Sequence, residues 1–397
     1  MKPQSRRAFM HATAACAGLA GMDMLAAAGE KAIQGFDETA TSTRNDAVWE
    51  PVSDRKIRVG IVGYGVCRFG AAFSFQDHPN VEVAAVSDLF PDRCSELAKV
   101  CRCEKTYPSL EELVKDDSIE AVFVATDAPS HPRHCISVLE HGKHVASAVP
   151  AVFGSLEDAD RLLEAVKKSG LKYMMFETSA FRNDCYAMRQ VYRAGGFGQM
   201  IYTEGEYFHY TDTPIDSYKN WRLGAPPQWY PTHANAYYTC VTGGTFTHVS
   251  CLGMPSTAGR FQPGSNAYNN RFGTEVALYQ TSEGGMARMA VSWDMPGAGG
   301  EKGRVYGQKG SFEARYSGQA DISKVAQEKP PLPPGVPAGG HGGSHGYLSD
   351  DFIRAILLKQ KPVCDVACAL NTTVSGIYAH MSAMKDGETL KIPQYAL

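Results

Sequence analysis

The chain has 397 residues, with 39 Lys+Arg against 42 Asp+Glu, a formal charge of -3, 44% apolar residues and 10% aromatics. That near-neutral balance supplies no overall positive field for a nucleic acid or an anionic membrane surface, so neither partner is expected. At roughly 100 to 200 residues per domain the length predicts two folded domains, each able to bury a core without a disulfide scaffold.

Residues 1–30 read as an address, not as fold. Ser5-Arg6-Arg7-Ala8-Phe9-Met10 resembles a bacterial twin-arginine export signal, an Ala/Gly/Met-rich stretch follows, and Ala26-Ala27-Ala28 offers small residues for cleavage. The plain alternative is a frayed cytoplasmic N-terminus. With His11 and Asp23 inside it, the stretch falls short of the ~20 apolar residues of a membrane span. Twin-arginine export carries folded proteins, so the chain is expected to take up any cofactor first and to work in the periplasm or elsewhere outside the cytoplasm. Of the 11 cysteines, Cys16 falls in this leader and no two of the others form C-x-x-C. Cys101-x-Cys103 and Cys364-x-x-x-Cys368 lack the spacing and histidine partners of a structural zinc site, so buried thiols and no metal are expected.

A polar linker, 31–55, precedes a regular alternation of short β-branched runs and amphipathic segments. Strands are predicted at 56–62, 81–87, 121–125, 144–147 and 172–176. Helical segments separate them, one opened by a capping box at Ser109-Leu110-Glu111-Glu112 and one starting at Ser155. Strands joined by helical crossovers pair in parallel, which predicts an α/β, doubly wound Rossmann domain over 56–180. From 181 to 397 the pattern changes to an α+β domain. Longer strands are expected at 200–210, 274–280, 286–293, 304–306 and 311–316, forming an open, mainly antiparallel sheet. The Pro/Gly-rich stretch 329–340 reads as loop, and 347–360 and 367–385 as amphipathic helices.

The first strand runs into Gly63-Tyr64-Gly65-Val66-Cys67-Arg68-Phe69-Gly70. Gly63 permits a tight turn, and Gly65 lets backbone approach a pyrophosphate held at a helix N-terminus beside Val66, Cys67 and Arg68. Arg68 stands where the third glycine of the fingerprint belongs. Asp88 ends the second strand, where a carboxylate accepts hydrogen bonds from an adenosine ribose and repels a 2'-phosphate, so NAD is expected over NADP.

Together with Thr126-Asp127-Ala128-Pro129-Ser130-His131, Gly142-Lys143-His144-Val145 and Phe181-Arg182, these segments resemble the Gfo/Idh/MocA oxidoreductases, which act mostly on sugars and cyclitols. The resemblance implies that Thr126 and His131 line the nicotinamide side and that Arg182 serves the substrate. Where most members have Glu-Lys-Pro with a catalytic lysine, this chain has Ala148-Val149-Pro150. The usual Asp-x-x-x-His pair is incomplete as well, because Trp229 stands four residues before His233. Val149-Pro150-Ala151, Trp221-Arg222, Tyr230-Pro231-Thr232-His233 and His341-Gly342-Gly343 are similar to the family's NAD-dependent glycoside hydrolase branch, typified by α-N-acetylgalactosaminidases. By position that branch implies His233 as acid/base, Tyr230 and Arg222 at the sugar, and Val149 and Pro150 near the cofactor. Ala148 replaces its acidic residue and Phe181 its tyrosine, so an acetamido sugar does not follow.

An imidazole titrates near neutrality, so His233 suits proton exchange with a sugar hydroxyl; the alternative is a histidine bonded to backbone. Its Tyr-Pro-Thr-His setting predicts an exposed loop or a helix start. Tyr230 and Tyr237 suit either stacking on a sugar ring or core packing. Glu177, ending the fifth strand, is a second acid/base candidate. His341 and His345 are expected to bond substrate, to cover the cleft or merely to anchor their loop. The resulting expectation is an NAD-dependent carbohydrate oxidoreductase with a retained cofactor. Its alternatives are a redox-neutral NAD-dependent glycosidase and a non-catalytic sugar- or nucleotide-binding protein. A homo-oligomer is left open.

Overall fold

The computed structural model describes residues 48–297 and 299–397. The stretch expected to be a twin-arginine leader and most of the expected linker lie outside the described residues. The first half contains β1 (Ile57–Val62), α1 (Phe69–Ala72), β2 (Val81–Ser87), α2 (Pro91–Val100), β3 (Thr106–Tyr107), α3 (Leu110–Leu113), β4 (Ala121–Val124), α4 (His131–Glu140), β5 (His144–Ser147), α5 (Leu156–Ser169) and β6 (Tyr173–Met175). Its six strands pair in parallel in the order β3-β2-β1-β4-β5-β6. The all-apolar β4 is buried at every residue, as a central strand covered on both faces requires. The caps form as expected: Ser109 accepts from Glu112 N at 3.4 Å and Ser155 from Asp158 N at 3.1 Å. Two expectations change. The edge strand β3 is too short to leave a periodic trace, and the helix expected between the first two strands shrinks to one-turn α1 followed by a 3-10 turn.

Phe73 and Phe75, beyond α1, pack with Phe123 of β4 and with Phe176, next to β6; the Phe73, Phe123 and Phe176 centroids lie 4.9 to 5.2 Å apart. Each buried phenyl contributes about 1.5–3 kcal/mol. This cluster sits beneath the carboxyl ends of the strands and fixes the backbone that presents Glu177.

The second half contains α6 (Asn183–Arg193), β7 (Met200–His209), α7 (Thr232–Thr242), β8 (Phe246–Pro255), β9 (Phe272–Thr281), β10 (Met286–Ser292), β11 (Gly299–Gly307), β12 (Gly310–Phe312) and β13 (Tyr316–Gly318). There follow one distorted turn, α8 (Gly340–Gly343), then α9 (His345–Leu357), α10 (Val366–Ala383) and β14 (Leu390–Lys391). The eight strands run β13-β12-β11-β7-β10-β9-β8-β14, antiparallel throughout except for the parallel β7–β10 pair. The strand expected at 311–316 is two short strands, and β8 and β14 are additions. No helix among the described residues is long and apolar enough to cross a membrane.

Helix α7 lies flat on this sheet because glycines make room for it. A Cβ on Gly205 of β7 would come within 2.1 Å of Ala234 O, and one on Gly303 of β11 within 2.0 Å of the Tyr237 ring. The helix is therefore buried on nearly every side, and it delivers His233 to the seam between the two sheets.

Candidate active site

At the carboxyl ends of β1, β2 and β4 a cleft of about 520 Å³ is lined by Gly63, Gly65, Val66, Cys67, Arg68, Asp88 and Thr126, with Trp221 and Arg222 facing them. Gly63 has φ 102°, and a Cβ there would lie 2.4 Å from Ala125 O. A Cβ on Gly65 would meet nothing within 4 Å, so this stretch of bare backbone faces open space. Gly70 supplies the close contact that the fingerprint's third glycine normally makes, since its Cβ would fall 2.3 Å from Gly63 O. Arg68 instead starts α1 in a left-handed conformation, φ 51°. Asp88 accepts from Tyr64 N at 2.6 Å and from Phe90 N at 2.9 Å, which ties the glycine turn to the end of β2. A bare glycine cradle at a helix start with a carboxylate beside it fits the pyrophosphate and ribose of NAD.

On the nicotinamide side the sequence expectation needs correction at His131. That residue is buried, and its two ring nitrogens lie 2.8 Å from Pro150 O and 3.1 Å from Thr126 O, so it braces two loops and does not line the cleft. His134, one turn on, lines the cleft and meets Thr126 Oγ1 at 2.8 Å. Burial and the adjacent Arg133 lower its pKa to about 4. Val149 and Pro150 are likewise buried away from the cleft.

Sharing Trp221 and Arg222 with the cleft, a smaller pocket of about 50 Å³ opens among Tyr207, His209, Tyr230 and Trp293. The Arg222 guanidinium lies 4.2 Å from the Trp221 ring and 5.9 Å from Tyr230. Residues between β7 and α7 line both spaces, Asp216 to Lys219 the cleft and Pro214 and Ile215 the pocket. Burial raises the Tyr230 phenol to about 12 despite Arg222, so it stays a neutral donor. His209 is pushed down to about 4 by burial and by Arg222.

Directly behind Tyr207 lies His233, with ring centroids 4.5 Å apart. It starts α7 as expected but is buried, not exposed. Its Nδ1 is 2.7 Å from Glu177 Oε1, whose carboxylate also accepts from Ser179 N at 2.9 Å. Burial alone would neutralise both partners, yet mutual attraction outweighs it. The Glu177 carboxyl is held below the usual carboxylate range, and the His233 imidazole above its usual range with Glu301 adding to the effect. The result is a buried histidine–carboxylate pair in which each partner favours the other's charged form, with Nδ1 committed to Glu177.

His341 stacks toward His233 at 6.5 Å. His345 Nδ1 is 3.1 Å from Ala72 O and can only donate there, so its Nε2 accepts from His341 Nδ1 at 2.8 Å. This relay fixes both tautomers, and burial keeps both rings neutral, with His345 at about 4. His345, expected at the substrate, instead stands behind His341 against Phe73, 4.4 Å away. Arg182 approaches Glu301 at 3.8 Å and packs under Gly342, where a Cβ would come within 2.9 Å of its Nη1.

Tyr237 is also corrected: its ring is fully buried against Gly303 and its hydroxyl donates to Asp184 at 3.1 Å. One helical turn beyond His233, it faces β11 and not the pocket. Sequence reasoning missed Tyr207, His209, His134, Glu301 and Lys329. The Lys329 ammonium is buried at the edge of the site, donating to Phe181 O at 2.8 Å and to Gly343 O at 2.7 Å.

Residues 57–177 match the family model described as "Oxidoreductase family, NAD-binding Rossmann fold". The chain is 29% identical over 177 residues, 42% of its length, to "Glycosyl hydrolase family 109 protein 1" of Bacteroides fragilis, and the match spans 38% of that relative. A protein named for the same hydrolase family in Saccharopolyspora erythraea is 23% identical, with 78% of this chain and 73% of that one covered. The fold is similar to levoglucosan dehydrogenase solved with NADH and levoglucosan (TM-score 0.69, 16% identity, covering 86% of this chain and all of that one). It is similar also to an aldose-aldose oxidoreductase of Caulobacter crescentus (TM-score 0.65, 16% identity, covering 85% of this chain and all of that one). With this glycine cradle and the match over residues 57–177, the first half of the chain is an NAD-binding Rossmann domain of the oxidoreductase family, and the two-sheet fold is similar to that of these dehydrogenases.

Proposed function

We propose that the protein is an NAD-dependent carbohydrate oxidoreductase in which His233 moves the proton of a sugar hydroxyl. The observation that carries this reading is the buried His233–Glu177 pair, 2.7 Å apart, behind an aromatic pocket that shares Arg222 and Trp221 with the nucleotide cleft. Bound NAD supplies the acceptor and donor of a hydride at the sugar carbon. The protein's residues do the rest. Glu177 holds His233 by Nδ1 and stabilises its cation, which leaves Nε2 to exchange a proton with the substrate. Raised above its ordinary pKa, His233 holds its proton more firmly than a free imidazole, which suits it to return a proton to a carbonyl; in the oxidising direction it must first lose that proton. Tyr207, Tyr230 and Trp293 offer faces for a sugar ring, and Arg222 a cation at its edge. With Val149 in place of the usual lysine, the proton path runs through the histidine.

A second reading is favoured by the relatives named for glycosyl hydrolase family 109. In it a sugar hydroxyl is oxidised, the now acidic neighbouring C–H loses its proton, the aglycone leaves, water adds and the ketone is reduced again. We further propose that the twin-arginine leader exports the folded protein. Free NAD is scarce outside the cytoplasm, so export favours a retained cofactor and a closed redox cycle. The apolar side chains left exposed on the second sheet, Ile201, Leu252, Leu278 and Met286 among them, support a homo-oligomer.

Purified protein denatured and analysed for nucleotide is expected to release NAD(H). An empty site with no affinity for added NAD would overturn both enzymatic readings and leave a sugar-binding protein. Aryl glycosides in deuterated water then divide the two. Aglycone release with deuterium beside the transient ketone supports the hydrolase, whereas sugar oxidation without release supports the oxidoreductase.

A further inference from the structure

Away from the nucleotide cleft, Cys240, Cys364 and Cys368 bring their three sulfur atoms within 4.8 Å of one another. The spacing of Cys364 and Cys368 offers no third donor; α7 supplies it from across the fold. Cys240 sits near the end of that helix, Cys364 just before α10, and Cys368 in the first turn of α10. Cys240 and Cys364 are buried, Cys368 is partly exposed, and all three are free thiols. The three cysteine sulfurs already face one shared point. Their backbones are held: Cys364 O accepts from Met175 N at 3.0 Å, and Asp365 Oδ1 caps Cys368 N at 3.0 Å.

Thiolates around a three-coordinate ion with bonds of about 2.3 Å sit about 4 Å apart, so the cluster closes on an ion with shifts of a few tenths of an ångström. No fourth His, Cys, Asp or Glu joins them among the described residues. A hydroxyl beside them, Thr372 Oγ1, is 4.0 Å from Cys368 Sγ and already donates to Cys368 O at 2.7 Å. Zn(II) in a closed site takes four ligands, whereas soft thiolate sets select Cu(I). The extra negative charge of three thiolates would meet the N-terminus of the 18-residue α10 and the Lys361 ammonium, 3.0 Å from Asp365.

We propose that Cys240, Cys364 and Cys368 form a structural site for one thiophilic d10 ion, Cu(I) in preference to Zn(II), which clamps α7 to the start of α10. Binding expels thiol protons to solvent, so affinity rises with pH.

The test is anaerobic titration of the reduced full-length protein with Cu(I) against a copper-selective chelator, and in parallel with Zn(II). One equivalent of Cu(I) is expected to survive the chelator, with a thiolate-to-copper band in the near ultraviolet and three sulfur neighbours at about 2.3 Å by X-ray absorption. Cys368→Ser should abolish that equivalent while retaining NAD binding, which reports an intact fold; Cys240→Ser is the second variant should the first fail to fold. Three outcomes overturn the site: no Cu(I) retained, retention unchanged in a folded variant, or Zn(II) held more tightly. A protein lighter by two hydrogens, with two fewer titratable thiols, would show a disulfide there and also overturn it.

Discussion

Two buried histidine–glutamate pairs in this molecule have hydrogen bonds of the same length, His233 to Glu177 and His380 to Glu275, each 2.7 Å. Around the second pair everything closes. Glu275 also accepts from Gln228 N at 2.8 Å, and the His380 ring lies against Trp229 and Phe272 at 5.6 and 6.3 Å. Around His233 the neighbours are charged or polar, with Glu301 and Arg182 nearby, and Tyr207 leads out to the small pocket. A short bond therefore locates a pair without assigning its role. The role depends on what else the charge meets and on whether a ligand has a path to it.

The largest contrast should come from removing each histidine. His233→Ala is expected to cut turnover by about 10²- to 10⁴-fold with the fold retained. His380→Ala should instead cost about 1–3 kcal/mol of stability by orphaning the buried Glu275, with turnover per folded molecule unchanged. Denaturant melts beside initial rates check both, and a His380 variant that loses turnover without losing stability would erase the distinction. Glu177→Gln is expected to be milder, about 10-fold in turnover, with a diagnostic pH effect. The carboxylate raises the His233 pKa, so with a neutral amide there the oxidation rate, which needs neutral His233, should reach its plateau at lower pH than in the wild type.

Lys329 gives a stability readout. Burial, with Arg182 adding to it, lowers its pKa from 10.5 to about 8. Between those values the unfolded chain binds more protons than the folded one, so this residue makes stability rise with pH across that window, by up to about 3 kcal/mol. Lys329→Met should remove that rise, measured as the difference between the two proteins' melts at pH 8 and pH 10. Smallest of all, Tyr230→Phe should raise KM a few-fold and leave the pH profile in place, since the ring faces stay.

Local signals carried much of this architecture. Alternating strands and helices, the Ser109 and Ser155 caps and the Gly63–Asp88 pairing are all encoded within short windows, and the Rossmann half followed from them. Strand β8 escaped because Phe246-Thr-His-Val-Ser-Cys-Leu-Gly-Met-Pro255 has no clean alternation and carries two breakers, Gly253 and Pro255, among its last three residues. Glu301 escaped because Gly299-Gly300-Glu301-Lys302-Gly303 has the composition of a loop. Gly303 serves the helix lying over it, which no local window contains. His233 and Glu177 were each legible; their pairing was not, because it depends on α7 sinking onto β7 and β11. Tyr237 turns on the same long-range packing: of stacking on a sugar ring and packing in the core, the seat of α7 on β11 selects the core.

The turn that carries His341 has a consequence for how this scaffold can change. Residues 341, 342 and 343 all have positive φ, at 49°, 67° and 71°. Replacing Gly342 or Gly343 would cost about 1 kcal/mol or more each in backbone strain, and Gly342 would also displace Arg182. That wall of the site is therefore closed to gradual diversification. New substrate preferences in this lineage, or in directed evolution starting from it, should accumulate instead at Tyr207, His209 and Trp293, where side chains vary over a sheet backbone that need not move.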